Sequence, residues 1–518
     1  MKKTLRPAPS GGLLFAGLMC ILVPASACAQ ADATDVAARS ITEEDFAWRV
    51  GVMAHDSMQG RDTPSPGLDK TAEWIASEFG RLGLRGGAEG GSFIQRYPLR
   101  SVVVDVERSS VVAGAHRLRF GEDVLPLFGE IVDGDVGADL VVVSGSGAVG
   151  RGARRAVRGR HVALVMARDA RGVDGDAFQL IAALRSAGAV SVMVTNGTED
   201  ARWTTNVDRS MAGAASKGWG SAGRSAATFA PLLQIRTGAL EQLIEGSGVD
   251  LSTLAARSES DVRVDETEVL VTVIQRTREV EASAPNVIGV LEGSDPGLRQ
   301  EYVVFSGHMD HVGVGTPDED GDSIFNGADD DASGTAAVME VAEAMASLPT
   351  APRRSMVFLV VSGEEKGLWG SEWYAEHPTL PLDATVANLN ADMVGRNWTD
   401  TIVAIGKEHS DLGQTLERVN SEHPELRMTA IDDLWPEERF YFRSDHFNFA
   451  RKGVPVLFFF NGTHEDYHGR NDEPERIDAE KASRIAKLLY YLGTEIGNAD
   501  ERPQWNPESY GRIVSGGR

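Results

Sequence analysis

Four mostly apolar runs in the second half of the chain, YVVFSGH, SMVFLVV, ATVANLNA and VPVLFFF, are interleaved with helical patterns. A strand apolar at every position is buried on both faces, and such strands separated by helices build a largely parallel sheet with helices on each side. No other feature of the sequence restricts the fold as much. The run SGTAAVMEVAEAMASL puts Val338, Val341, Met345 and Leu348 on one helical face. A closing helix is expected from about Asp478 to Ile496, with Asp478 as N-cap and Ala482, Ile485, Leu489, Leu492 and Ile496 as its apolar stripe. The fold class that follows is α/β, a mostly parallel mixed sheet covered by helices on both faces.

In open sheets of this kind ligands collect beyond the carboxyl ends of the strands. Here those ends are ionisable. YVVFSGHMD ends in His308 and Asp310, SMVFLVVSGEE in Glu364 and Glu365, and VANLNADMVG carries Asp392, while VLFFFNGTHEDYHG runs into His464 and His468. Between the first two strands lies NGADDDASG, residues 326–334, with three consecutive aspartates. Like charges crowd this way only when solvated or when a cation holds one of them ionised. The only cysteines, Cys20 and Cys28, lie near the amino terminus, which excludes thiolate ligands and a cysteine nucleophile from the rest of the chain. Histidine and carboxylate donors suit zinc and admit cobalt or manganese. More carboxylates than one ion needs point to two ions sharing a bridging carboxylate, and one aspartate of NGADDDASG is the candidate bridge.

The order GHMD, GADDDASG, SGEEKGLWGSEWYA, NADMVG, SDHFNF and YHGRND resembles that of the M28 family of zinc-dependent aminopeptidases, over roughly residues 265–498. The resemblance implies a zinc exopeptidase-like fold and a pair of Zn2+ ions, with Co2+ or Mn2+ as substitutes. It implies His308 and Asp392 as ligands of one ion, Glu365 and His468 as ligands of the other, and Asp330 as the bridge. It makes Glu364 the general base that takes a proton from water held between the ions, and Asp310 the carboxylate that orients a ligand histidine. Tyr467 would donate to the oxyanion of the tetrahedral intermediate. The implied activity is hydrolysis of amino-terminal residues from peptides; a carboxypeptidase, a dipeptidase or another amide hydrolase on the same fold is the alternative. A binding protein that had lost its chemistry is disfavoured because all five ligand positions and the base are present.

With 518 residues, 42% of them hydrophobic, the chain can fill more than one core. Its start, MKKTLRPAPSGGLLFAGLMCILVPASACAQ, has the basic, apolar and small-residue layout of a secretory signal peptide, expected over 1–29, so export to the periplasm or medium is expected. Cys28 offers lipoprotein anchoring as a weaker alternative. Residues 36–127 are read as the amino-terminal part of the peptidase domain, and SPGLDKTAEWIASEFGRLGL within them as an amphipathic helix. From 128 to 262 the texture turns Gly-, Ala- and Val-rich, as in GRHVALVMARD and AVSVMVTNG, an inserted smaller α/β unit that resembles a protease-associated (PA) domain. Within it, the Gly-rich stretch at 212–223 reads as a loop. Residues 263–498 complete the catalytic domain and 499–518 form a tail. The formal charge of −25 repels nucleic-acid phosphates and anionic membrane surfaces, leaving peptides as the expected partners.

Other polar residues near these motifs carry blander readings. His311 reads as a bystander near the site, and His464 as a competitor that fits the family order less well than His468. Ser444, Asp445 and His446 are adjacent in sequence and so cannot form a serine triad, and no Gly-x-Ser-x-Gly elbow accompanies them. They are expected to support the site or line its wall. Trp435, Phe440, Tyr441 and Phe442 are either a pocket lining or a packed loop. The Asn-x-Ser/Thr triplets at Asn196, Asn397 and Asn461 carry no weight.

Overall fold

Ser355–Val361, Tyr302–His308, Thr385–Ala391 and Val456–Phe460 lie side by side and parallel, in that order. This is the computed structural model of the chain, which describes residues 33–127, 133–166, 175–195, 203, 207, 210–211, 215–219, 230–255 and 262–515 except 316 and 319. The expected signal segment and Asn196 lie outside the described residues. Antiparallel strands flank the parallel four: Thr401–Ile405 beyond Val456–Phe460, and Thr277–Leu291 followed by Ile94–Val104 beyond Ser355–Val361. The sheet is therefore mixed with a parallel centre. From Tyr302–His308 the chain crosses to Ser355–Val361 on one side, then to Thr385–Ala391 on the other. That reversal opens a crevice at the carboxyl end of Tyr302–His308, the place where such sheets bind ligands.

Although most of these strands do not alternate in polarity, their side chains sort with period two. Val303, Phe305, Met356, Phe358 and Val360 join the core beneath helices Glu43–Met53, Pro66–Arg81, Gly334–Ala346 and Ala479–Asn498. Val304, Val357, Leu359 and Val361 face the opposite core, with Tyr374 and Phe449 from helices Trp369–Glu376 and His446–Ala450. Both faces are covered, as the continuous apolar strands require. Ala479–Asn498 begins at Asp478, whose side chain accepts from Lys481 N at 3.0 Å, and it meets the sheet closely at Gly493, where a Cβ would stand 2.1 Å from the Phe305 ring. Pro66–Arg81 is capped by Ser65 and buries Leu68, Ala72, Ile75 and Phe79, each larger side chain contributing about 1.5–3 kcal/mol by burial. Gly334–Ala346 differs from the one-faced helix expected: it is buried on nearly every side, and Glu340 is accommodated there 3.3 Å from Arg49. Among the described residues no helix is long and apolar enough to cross a membrane.

A second sheet runs His116–Arg119, Ser110–Ala113, Arg263–Gln275, Gly134–Ser144, His161–Val165, Ser191–Thr195, Leu232–Ile235, Val124–Pro126. Its four strands from Gly134–Ser144 to Leu232–Ile235 are parallel and the outer ones antiparallel. The sheet draws strands from Ser110 to Gln275, beyond the 128–262 span of altered composition. Arg263–Gln275 leaves Leu270 63% exposed and passes through Arg276 straight into Thr277–Leu291 of the main sheet, so composition carries no break there. Within the Gly-rich stretch read as a loop, Ala215–Lys217 is instead a strand added to the main sheet beside Ile94–Val104, with Trp219 edge-on to Tyr97 and Trp373.

Candidate metal centre

The parallel register brings the expected donors together. His308 closes its strand opposite Val361, with Glu364 and Glu365 just beyond, and the pairing of Ser306 with Asn390 sets Asp392 abreast of His308. Two donor groups result, His308, Asp330 and Asp392 in one, and His311, Asp330, Glu365 and His468 in the other, with the donor atoms of each group within 4.8 Å of one another. Asp330 belongs to both. Its Oδ1 lies 3.4 Å from His308 Nε2, while its Oδ2 lies 3.1 Å from His468 Nε2 and 3.7 Å from His311 Nδ1. His308 Nε2 is 3.7 Å from Asp392 Oδ1, and His468 Nε2 is 3.0 Å from Glu365 Oε2.

Tetrahedral coordination with bonds of about 2.0–2.1 Å separates ligand atoms by roughly 3.3 Å. The observed separations bracket that value, and the donors are the nitrogen and oxygen set that zinc accepts. Glu365 Oε1 and both ring nitrogens of His311 are buried without a hydrogen-bond partner among the described residues. The residues present therefore fit a pair of divalent ions.

The three aspartates of NGADDDASG face three different ways. Asp329 accepts from Gly395 N at 2.6 Å and Ser333 Oγ at 3.0 Å. Asp331 accepts from the backbone N–H groups of His308, Gly334 and Met393 at 2.8–3.1 Å, tying the His308 strand to the helix start. Asp330 alone is left to the donor groups, and its own N–H is held by the Asp472 carboxylate at 3.1 Å. The turn before it needs a glycine. Gly327 has φ +59°, and a Cβ there would stand 2.5 Å from His311 Cγ.

Burial opposes the charge of Asp330, yet His308, His468 and His311 hold its pKa well below the usual range. Burial likewise disfavours a charged His468, but Asp330 and Glu365 raise its pKa to about 10. Glu364 behaves oppositely: burial, reinforced by Asp445, Asp392 and Glu365 against the attraction of His308, pushes its pKa well above normal. Glu364 lines a cavity of about 50 Å3 with His308, Asp330, Asp392, Phe440 and Tyr467. Hollows of about 610 and 490 Å3 lie elsewhere on the surface, so chemistry rather than size singles out this one.

Several side chains take places that the sequence left open. Asp310 reaches His308 less directly than expected: its carboxylate is 3.6 Å from Nδ1, while its main-chain oxygen is 3.2 Å away. The carboxylate instead accepts from Glu364 N at 3.2 Å and Thr63 Oγ1 at 3.1 Å. Ser444 donates to Asp392 at 2.9 Å and so supports the site. His446 is a core residue: its Nε2 meets Tyr441 O at 2.8 Å, and burial lowers its pKa to about 3. His464 sits 3.3 Å from Asp329, outside both donor groups. Of the aromatic stretch, Phe440 and Tyr441 both pack into the core, and Phe440 also lines the cavity. Arg61 went unnoticed in the sequence. Fully buried, it donates to the carbonyls of Met309, Met53, Asn326 and Gly327 at 2.6–2.8 Å, clamping the loops that carry His308 and Asp330. The Gly-Arg-Asp turn before Thr63 was its only signal, since nothing local announces a buried guanidinium.

This arrangement can be set beside known proteins. Residues 286–493 match Peptidase family M28. The matched segment contains His308, Asp310, Asp330, Glu364, Glu365, Asp392, Tyr467 and His468. A probable zinc metalloprotease of Leptosphaeria maculans is 28% identical over 244 residues, 39% of this chain and 55% of that protein. The aminopeptidase YwaD of Bacillus subtilis is 25% identical over 234 residues, 43% of this chain and 47% of that protein. The chain spans about half the length of these relatives. The crystal structure of a peptidase M28 precursor from Shewanella amazonensis superposes with a TM-score of 0.50 at 17% identity, covering 92% of this chain and 100% of that one, a likeness of fold.

Proposed function

We propose that this chain is an exported two-zinc aminopeptidase that removes residues from the amino-terminal end of peptides. The observation that carries the reading is Asp330, whose two carboxylate oxygens are divided between two groups of histidine and carboxylate donors. Zinc ions held there would acidify water and polarise the scissile carbonyl. His308 and Asp392 would hold one ion, Glu365 and His468 the other, with Asp330 shared.

Glu364 lines the same cavity with a raised affinity for protons. That suits a group that takes a proton from water and returns it to the leaving nitrogen. Asp310 fixes the start of the Glu364 turn through its bond to Glu364 N, and Tyr467 on the cavity wall is the donor for the oxyanion. An acidic cavity favours a substrate ammonium group over a carboxylate, and Met393, Phe440, Phe458 and Phe460 give it an apolar side for the first side chain. Arg443 also lines the cavity and would favour a carboxylate-reading peptidase, but its guanidinium is engaged, 3.5 Å from Glu438 and over the Phe440 ring. The second sheet, Ser110 to Gln275, is read as a PA-like insert, and the basic, apolar start of the chain as its export signal.

The test is cleavage of aminoacyl-nitroanilides and of matched N-acetylated peptides, before and after chelation and zinc repletion. Activity that needs a free amine, disappears with chelator and returns with zinc is expected; cleavage of the acetylated series would move the function to another amide hydrolase. Glu364→Gln should keep its metal content and lose about 10²–10⁴-fold in turnover, the usual range for general acid–base catalysis.

A further inference from the structure

We propose that His311 is a metal ligand, the fourth protein donor to the ion shared by Asp330, Glu365 and His468. The proposal rests on the two-zinc reading and adds a residue that the five-ligand pattern leaves out.

His311 is fully buried beside Glu365, with Nδ1 3.0 Å from Oε1 of that carboxylate and 3.7 Å from Asp330 Oδ2. Its ring stands edge-on to His468, centroids 5.5 Å apart. Yet neither ring nitrogen has a hydrogen bond among the described residues. Leaving a buried polar atom unsatisfied costs about 1–3 kcal/mol, so an imidazole bare at both nitrogens calls for a missing partner. The geometry says where that partner is. Nδ1, Asp330 Oδ2, Glu365 and His468 Nε2 converge within 4.8 Å, which is how atoms are spaced around one cation. The ring is also held in place from two sides: its main-chain N–H donates to Arg61 O at 3.3 Å, and Gly327 is the residue that leaves room for the ring. Histidines outside the two donor groups lack this convergence. His446 is bonded to a carbonyl, and His464 meets a single carboxylate.

The consequence is an asymmetric pair. Without His311 each ion would have three protein donors; with it, one site has four while the His308, Asp330 and Asp392 site keeps three. Four protein ligands close a zinc site and three leave a position open for water or substrate. The His311 site should therefore fill first and hold its ion more tightly, with the open position on the His308 side beside Glu364.

The experiment is a Zn2+ titration of the full chain in competition with a chromogenic chelator, for wild type, His311→Ala and His311→Gln, each checked for folding by circular dichroism. Wild type should bind two ions with unequal affinity. Both variants should weaken the tighter site by more than the 10–100-fold typical of losing an outer partner, and leave the other within about threefold. Equal, unchanged binding of both ions in the folded variants overturns the proposal. A second measurement needs no variant: in the Co2+-substituted wild type, three ligand histidines should give three hyperfine-shifted imidazole N–H resonances, and two overturn it. Should the wild type bind a single ion, the two-zinc reading fails, and the His311 assignment stands or falls on whether His311→Ala still binds that ion with unchanged affinity.

Discussion

Replacing Arg61 by methionine keeps the length of the side chain and removes a guanidinium that donates four hydrogen bonds to main-chain carbonyls. Hydrogen bonds from a charged donor contribute about 1.5–3 kcal/mol each, so the four together are worth about 6–12 kcal/mol. Burial of the charge works the other way. It lowers the pKa to about 10 despite the attraction of Asp472, Asp310, Asp330 and Asp331, an offset of about 3 kcal/mol. The difference is a net loss of about 3–9 kcal/mol, with about 6 kcal/mol as the working figure. Arg61→Lys should recover about half, because one ammonium has three donors on a single atom and cannot span four carbonyls on separate segments. Urea unfolding of the metal-free protein, followed by tryptophan fluorescence, measures both. Because Met309 O and Gly327 O belong to the loops carrying His308 and Asp330, zinc affinity should fall with stability, in the same order. An Arg61→Met protein within about 1 kcal/mol of wild type would show that the clamp is not what holds the two loops together.

Ser444→Ala removes the donor to Asp392 and should weaken zinc binding about 10–100-fold while leaving the urea midpoint nearly unchanged, as measured by chelator competition. Gly493→Ala should destabilise by about 1–3 kcal/mol with no effect on metal affinity, since its Cβ collides with the Phe305 ring beneath the helix. His161, in the second sheet, has its pKa lowered to about 4 by burial. The unfolded chain therefore binds a proton near pH 6.5 that the folded chain refuses until about pH 4, so stability present above pH 6.5 is lost as pH falls through that window, by about 3 kcal/mol. Unfolding of the second sheet by acid, compared in wild type and His161→Gln, should show this slope flattened in the variant.

Much of this centre was readable along the chain, and the reason is local. His308, Glu364, Glu365 and Asp392 each stand at the end of an apolar strand, and parallel pairing places strand ends at one edge whatever else the chain does. The helix bounds at Ser65 and Asp478 were readable in the same way, because a cap is a contact within one turn. The limits of the second sheet were not, since Arg263–Gln275 runs into the main sheet without a turn or a change in pattern. Nor was the strand at Ala215–Lys217, whose composition is that of a loop and which is a strand only because Ile94–Val104 offers it a free edge.

The contrast is sharpest within NGADDDASG. The sequence by itself determined that this stretch lies between two strands of a parallel sheet, that its carboxylates meet histidines at the carboxyl edge, and that the donors gathered there are nitrogen and oxygen. The family resemblance picks out Asp330 among the three; the physical reason, and what its neighbours do instead, come only from three dimensions. Asp329 is taken up by Ser333 and the Gly395 N–H, Asp331 by three backbone N–H groups, and Asp330 by the histidines. In a turn of no repeating geometry the direction of each side chain is set by what distant segments place around it. Arg61 and Asp472 arrive from opposite ends of the sequence to hold the backbone, and His311 enters the donor group because Gly327 leaves room for its ring. Pattern can place a donor at an edge; only long-range packing aims it.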